Sequence, residues 1–275
     1  MPEFQTSDGL SLYYEVRGEG EPVLCLAGLT RNVRDFDFLA PHLKGWQMIA
    51  LDSRGRGNSD FDPTYANYNV MRESQDVVEL LDHLGIAKTW VIGTSRGGLL
   101  AMMLAAGHRD RLRGVVLNDV GPVVDAGGIS RIVAYVGQPP QERSLNEAAE
   151  NLATVMGKGF PGVDLLRWRE VAAANFREDG DGLALRYDPL LRQALVEQLD
   201  AGPVGDVWPL FDALKGLPLG VLRGANSDIL TEDTLAQMRV HNPEMKVATV
   251  PDRAHVPFLD EPQSVELIHQ VLNTK

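Results

Sequence analysis

Ser95 stands at the centre of Gly93-Thr94-Ser95-Arg96-Gly97-Gly98, a G-x-S-x-G pattern. The apolar run Thr89-Trp90-Val91-Ile92 precedes it and Leu99-Leu100-Ala101-Met102-Met103-Leu104-Ala105-Ala106 follows it, which reads as strand, turn and helix. In that setting the pattern is a nucleophile elbow: the turn is so tight that small residues must flank the serine, whose hydroxyl is held out over the sheet edge. The N–H groups at the start of the following helix favour negative charge at the same place. A serine hydroxyl is a poor nucleophile at neutral pH. It needs an adjacent imidazole as base, and the imidazole needs a carboxylate to orient it.

Six histidines are available. His42, His83, His108 and His269 fall within or at the ends of expected helices, and His241 opens a His241-Asn242-Pro243 turn. His255 differs, because it lies on the loop Pro251-Asp252-Arg253-Ala254-His255-Val256-Pro257, between a short strand and the last helix. Loops leaving the C-terminal edge of a parallel sheet are where such proteins build their sites. Two carboxylates compete to orient it. Asp228 ends Leu222-Arg223-Gly224-Ala225-Asn226-Ser227-Asp228, and Asp119 sits in Leu117-Asn118-Asp119-Val120-Gly121-Pro122. The order serine, acid, histidine admits both. Asp228 is the preferred acid, with Asp119 expected to tie down the segment that follows it.

The elements that must position these groups alternate between strand and helix, which argues an α/β fold with a mostly parallel sheet. Strands are expected over 10–16, 23–26, 48–51, 89–92, 114–117, 217–222 and 247–250, and helices over 33–43, 71–84 and 262–272. From about Gly121 to Pro209 the alternation stops. Helical stretches at 147–156, 165–176 and 190–199 replace it, bracketed by Gly121-Pro122 and by Gly202-Pro203 and Trp208-Pro209.

Composition narrows the classes further. The 275 residues carry a net charge of −12, which a nucleic-acid backbone or an anionic membrane would repel. No apolar run approaches the roughly 18 residues of a membrane span. The N-terminal residues show no secretory pattern, so a cytoplasmic location is expected. The single cysteine, Cys25, lies in an apolar run and is expected to be buried and unreactive. No metal-ligand spacing such as H-x-x-x-H or C-x-x-C occurs, so neither metal nor cofactor is implied.

Taken in order, the motifs resemble those of the α/β-hydrolase family over nearly the whole chain. The matching stretches are Leu26-Ala27-Gly28-Leu29, Asp52-Ser53-Arg54-Gly55-Arg56-Gly57-Asn58-Ser59, the elbow at Ser95, and Asp228 with His255. The D-x-R-G-x-G-x-S match is similar to the capped, esterase- and lactonase-like branch. The resemblance implies a hydrolase core over 1–122 and 210–275, with a helical cap over 123–209. It also implies an oxyanion hole made by the backbone N–H groups of Leu29 and Arg96.

Two positions depart from the family pattern. Ala27 stands where histidine is usual, and Arg96 where methionine, leucine or glutamine is usual. The Arg96 side chain is either salt-bridged away from the pocket or turned into it, where it would favour an anionic substrate. Trp168 and Trp208 join Arg96 as candidate substrate-binding residues, and Tyr135, Met156, Phe160 and Phe176 are further pocket candidates. Each aromatic could equally pack the cap onto the core.

The expected function is a serine hydrolase that cleaves a carboxylic ester or lactone of a small-molecule substrate through an acyl-enzyme. The alternatives are a C–C bond hydrolase of an acidic diketone with the same triad, and a ligand-binding receptor on the same fold. The sequence leaves the oligomeric state open.

Overall fold

The computed structural model describes residues 2–180, 182–201 and 207–274. The Gly202-Pro203 boundary expected from the sequence lies outside these residues. Strands β1 (Glu3–Gln5), β2 (Ser11–Arg17), β3 (Glu21–Leu26) and β4 (Trp46–Leu51) come first. Helix α1 (Val70–His83), β5 (Thr89–Thr94), α2 (Arg96–Gly107) and β6 (Leu112–Asn118) follow. Helices α3 (Ala126–Tyr135), α4 (Leu145–Met156) and α5 (Leu165–Asn175) then lead to the hairpin β7 (Phe176–Asp179) and β8 (Gly182–Leu185). The chain continues through α6 (Leu191–Asp200), α7 (Trp208–Asp212), β9 (Leu219–Gly224), α8 (Glu232–His241), β10 (Lys246–Val250) and α9 (Pro262–Leu272).

The eight-stranded sheet runs β1-β2-β4-β3-β5-β6-β9-β10. β1 and β2 are antiparallel additions at one edge, and β4 through β10 pair in parallel. The central strands are apolar on both sides because both faces are covered. Leu24, Leu26, Val91, Val115 and Leu117 point into one core with α1 and α2, whereas Val23, Cys25, Ile92 and Val116 point into the other with α9. Cys25 is fully buried and free, and burial pushes its thiol pKa up, which keeps it protonated and inert. Among the described residues no helix is long and apolar enough to cross a membrane.

Three local expectations change. The helix expected over 33–43 is two 3-10 turns, Val33–Phe36 and Ala40–His42. Asn32 caps the first, and Pro41, which has no N–H to give, sits at the start of the second and prevents one continuous helix. His241 does not open a turn but ends α8, where its Nδ1 lies 2.8 Å from Asp212 Oδ1. The segment between β6 and β9 is helical as expected, except for the hairpin β7–β8, which pairs Phe176 with Leu185. Short strands that bury one face only partly leave too little periodicity to be read ahead.

Candidate active site

Ser95 joins β5 to α2 with φ 51° and ψ −116°, a conformation few non-glycine residues hold. The neighbouring glycines make the turn possible. A methyl group on Gly97 would lie 2.0 Å from the Leu26 carbonyl oxygen, and one on Gly93 would lie 2.5 Å from that of Gly97. The start of α2 is thus pressed against both β5 and the end of β3, and Ser95 N donates across to Asn118 O at 3.0 Å.

The Ser95 hydroxyl lies 2.9 Å from His255 Nε2. The other ring nitrogen, Nδ1, lies 2.8 Å from Asp119 Oδ2, and Asp119 is completely buried. Two further donors hold that carboxylate: Gly224 N bonds Oδ1 at 2.9 Å and Ser227 Oγ bonds Oδ2 at 2.6 Å. Together with His255 Nδ1 these donors fix the orientation of the carboxylate. The loop of His255 is itself tied to the sheet, since Asn118 Nδ2 donates to Pro257 O at 3.1 Å.

The structure therefore brings together Ser95 and His255 as expected, but with Asp119 in place of Asp228. After β9 the chain turns so that Ser227 faces inward to Asp119, and Asp228 faces outward. Its Oδ2 meets Arg131 Nε of α3 at 2.5 Å, with both side chains substantially exposed. The sequence favoured Asp228, although each of the two follows a strand. The order of the sheet, with β6 directly beside β5, is what brings the earlier one to the imidazole.

The Arg96 side chain is committed to a buried ion pair. Its Nε and Nη2 grip Glu73 Oε2 and Oε1 at 2.7 and 3.0 Å, and Nη2 also reaches Tyr68 O at 3.2 Å. Arg56 shares the same carboxylate, Nη1 to Oε1 at 2.8 Å, and its Nε donates to Leu29 O at 2.8 Å. Burial opposes ionisation of Glu73, but the two guanidinium charges outweigh it and hold its pKa below the usual range. Arg56 is pulled down by burial and by the charge of Arg96, with Glu73 opposing. The bond from Arg56 holds the carbonyl of Leu29, on the peptide that follows the N–H expected as an oxyanion donor. The loop bearing Leu29 also passes close to Ser95, because a methyl group on Gly28 would sit 3.7 Å from Ser95 Cβ. Gly28, the residue before Leu29, and Arg96, the first residue of α2, thus both adjoin Ser95.

The two tryptophans pack rather than line a site. Trp168 is 1 % exposed, with ring centroids 5.6 Å from Phe160 and 6.3 Å from Phe258. Trp208 stacks on His241 at 4.2 Å and meets Phe211 edge-on at 5.9 Å. Among the described residues no group of three or more His, Cys, Asp or Glu side chains could hold a metal ion.

Comparison with known proteins agrees with this fold. A sequence profile of the alpha/beta hydrolase fold matches residues 21–262, and the chain belongs to that family. It is 34% identical over 272 residues to a 3-hydroxybutyrate-oligomer hydrolase of Cupriavidus necator, covering 94% of this chain and 91% of the relative. It is 26% identical over 248 residues to a 2-(acetamidomethylene)succinate hydrolase of Mesorhizobium japonicum, covering 90% and 85%. Among solved structures, an alpha/beta hydrolase from Novosphingobium aromaticivorans superposes with a TM-score of 0.90 at 41% identity, covering 98% of this chain and 96% of that one. The chain is an α/β-hydrolase with a mostly parallel eight-stranded sheet flanked by helices.

Proposed function

We propose that this hydrolase cleaves a carboxylic ester or lactone of a small organic acid through an acyl-enzyme on Ser95. The observation that carries the reading is the continuous chain Ser95 Oγ–His255 Nε2 at 2.9 Å and His255 Nδ1–Asp119 Oδ2 at 2.8 Å. His255 takes the hydroxyl proton as Ser95 Oγ bonds to the ester carbon. The N–H groups of Leu29 and Arg96 hold the oxyanion, a contribution of about 3–4 kcal/mol for one such donor. As the carbonyl reforms, the ester C–O bond breaks and His255 gives its proton to the leaving alkoxide. Water, deprotonated by the same imidazole, then releases the acid. Asp119 keeps the imidazole in the tautomer that presents a bare Nε2 to Ser95, and it stabilises the imidazolium. The segment 123–209 acts as the cap over this site. The 34% identity to a hydrolase named for 3-hydroxybutyrate oligomers supports an ester of a short hydroxy acid as the substrate.

A fluorophosphonate tests the nucleophile. Intact-mass analysis is expected to show one adduct, mapped to Ser95 by peptide sequencing, and Ser95→Ala is expected to show none and to lose several orders of magnitude in ester turnover. Labelling of another residue in Ser95→Ala, with turnover retained, contradicts the assignment.

A further inference from the structure

Arg31 lies two residues beyond Leu29, in a turn closed by Arg31 N donating to Gly28 O at 3.1 Å. The turn folds the arginine back over Gly28. A methyl group built on Gly28 would meet Arg31 Cγ at 3.3 Å and Ser95 Cβ at 3.7 Å, so the stem of Arg31 and the nucleophile flank one glycine. Among the described residues its side-chain hydrogen bonds are confined to Nε, which donates to both oxygens of Asp35 at 2.8 and 2.9 Å. Asp35 is thus a brace: it fixes the guanidinium plane and leaves the four N–H bonds of Nη1 and Nη2 uncommitted. The side chain keeps 27% of its surface accessible, unlike Arg56 and Arg96, which are buried against Glu73. From α3, Tyr135 stands within the field of this charge: burial raises its phenol pKa, and Arg31 opposes the rise.

We infer that Arg31 is a specificity-determining residue that takes the free carboxylate of an acidic ester substrate while Ser95 attacks the ester carbonyl. The inference rests on the serine-esterase reading above and adds the class of substrate: a short ester that retains one carboxylate. A guanidinium braced at Nε presents its two Nη groups as a planar fork, the arrangement that pairs with both oxygens of a carboxylate. The anionic-substrate role considered for Arg96 from sequence thereby belongs to a different arginine, one on the oxyanion loop. No chemical step changes. Arg31 binds the end of the substrate remote from the reacting carbon and sets how the ester lies over Ser95.

Two matched esters test this: mono-4-nitrophenyl adipate, which carries a carboxylate, and 4-nitrophenyl hexanoate, which does not, each with Ser95→Ala as blank. Arg31→Gln is expected to lower kcat/KM for the adipate half-ester about ten- to a hundredfold more than for the hexanoate, the size of a lost charge-assisted hydrogen bond. The difference should appear mainly in KM, and Arg31→Lys should recover part of it. In the unmodified enzyme, free adipate should compete with the hexanoate ester and neutral adipamide should not, a readout that does not depend on whether a variant folds. Equal losses on the two esters, or equal competition by adipate and adipamide, overturn the inference. If the unmodified enzyme turns over neither ester, the ester-hydrolase reading falls and this inference falls with it.

Discussion

Beside Ser95, the guanidinium of Arg96 is committed to Glu73, and Glu73 also answers Arg56. Two buried cations on one buried anion make the three residues unequal in stability. Removing one partner of a buried pair costs about 3–5 kcal/mol when it leaves a charge unpaired. Glu73→Gln strands both guanidinium groups, whereas Arg96→Met leaves Arg56 and Glu73 as a simple pair. Urea unfolding should therefore place Glu73→Gln at a loss of about 3–5 kcal/mol and Arg96→Met at a smaller one. The reverse order would mean that Arg96 holds the elbow by something other than this charge balance. Arg96 could be seen as a departure in the motif, but the destination of its side chain could not. Glu73 lies 23 positions away on α1, and nothing in local spacing pairs the two.

At the level of elements, the strand–turn–helix around Ser95 was legible because its constraints are local: a buried strand, small flanking residues and an apolar helix within eighteen positions. The loop of His255 was legible for a similar reason, since it lies between β10 and α9. The acid was not. Both Asp119 and Asp228 follow strands, and the choice depends on which strand lies next to β5 and on which way the loop after β9 turns. These are facts of sheet order and not of sequence spacing. Likewise the stretch 33–43 was expected to be one helix, and Pro41 divides it into two turns. Arg31 gave no signal of its own. Its place follows from the turn at Gly28, which the sequence marks only as a glycine.

Across the whole molecule, a second charged network anchors the antiparallel edge of the sheet. Arg54 is fully buried and bonds Asp76 and Asp62, and it reaches Asp8 from the loop after β1 at 2.9 Å. Burial tends to raise the Asp8 pKa. The hydrogen bonds from Arg54 and Thr6 and the charges of Arg54 and Arg72 outweigh that tendency and hold it at about 2, against 3.8 when unperturbed. Because the folded value lies below the unfolded one, the Asp8 contribution is fully present above about pH 4 and is lost as pH falls through about 2. Asp8 is about one-third exposed, so solvent screening limits that contribution to about 1 kcal/mol. Asp8→Asn should lower Tm at neutral pH, and the gap from the unmodified protein should close as the pH is lowered to about 2. A gap that persists undiminished at that pH would assign the loss to packing instead of charge.

The same sheet brings Ser95, Asp119 and His255 together from three loops, and the identity of the acid tests that assembly most directly. The measurement is kcat/KM on a single neutral ester for Asp119→Asn and Asp228→Asn, each with circular dichroism and a fluorophosphonate-labelling control. Asp119→Asn should lose about 10⁴-fold, as when the orienting carboxylate of such a triad is neutralised. Asp228→Asn, which forfeits only an exposed ion pair with Arg131, should stay within a few-fold of the unmodified enzyme. The opposite ranking, with Asp228→Asn the more damaged, would contradict the account and place the working carboxylate after β9.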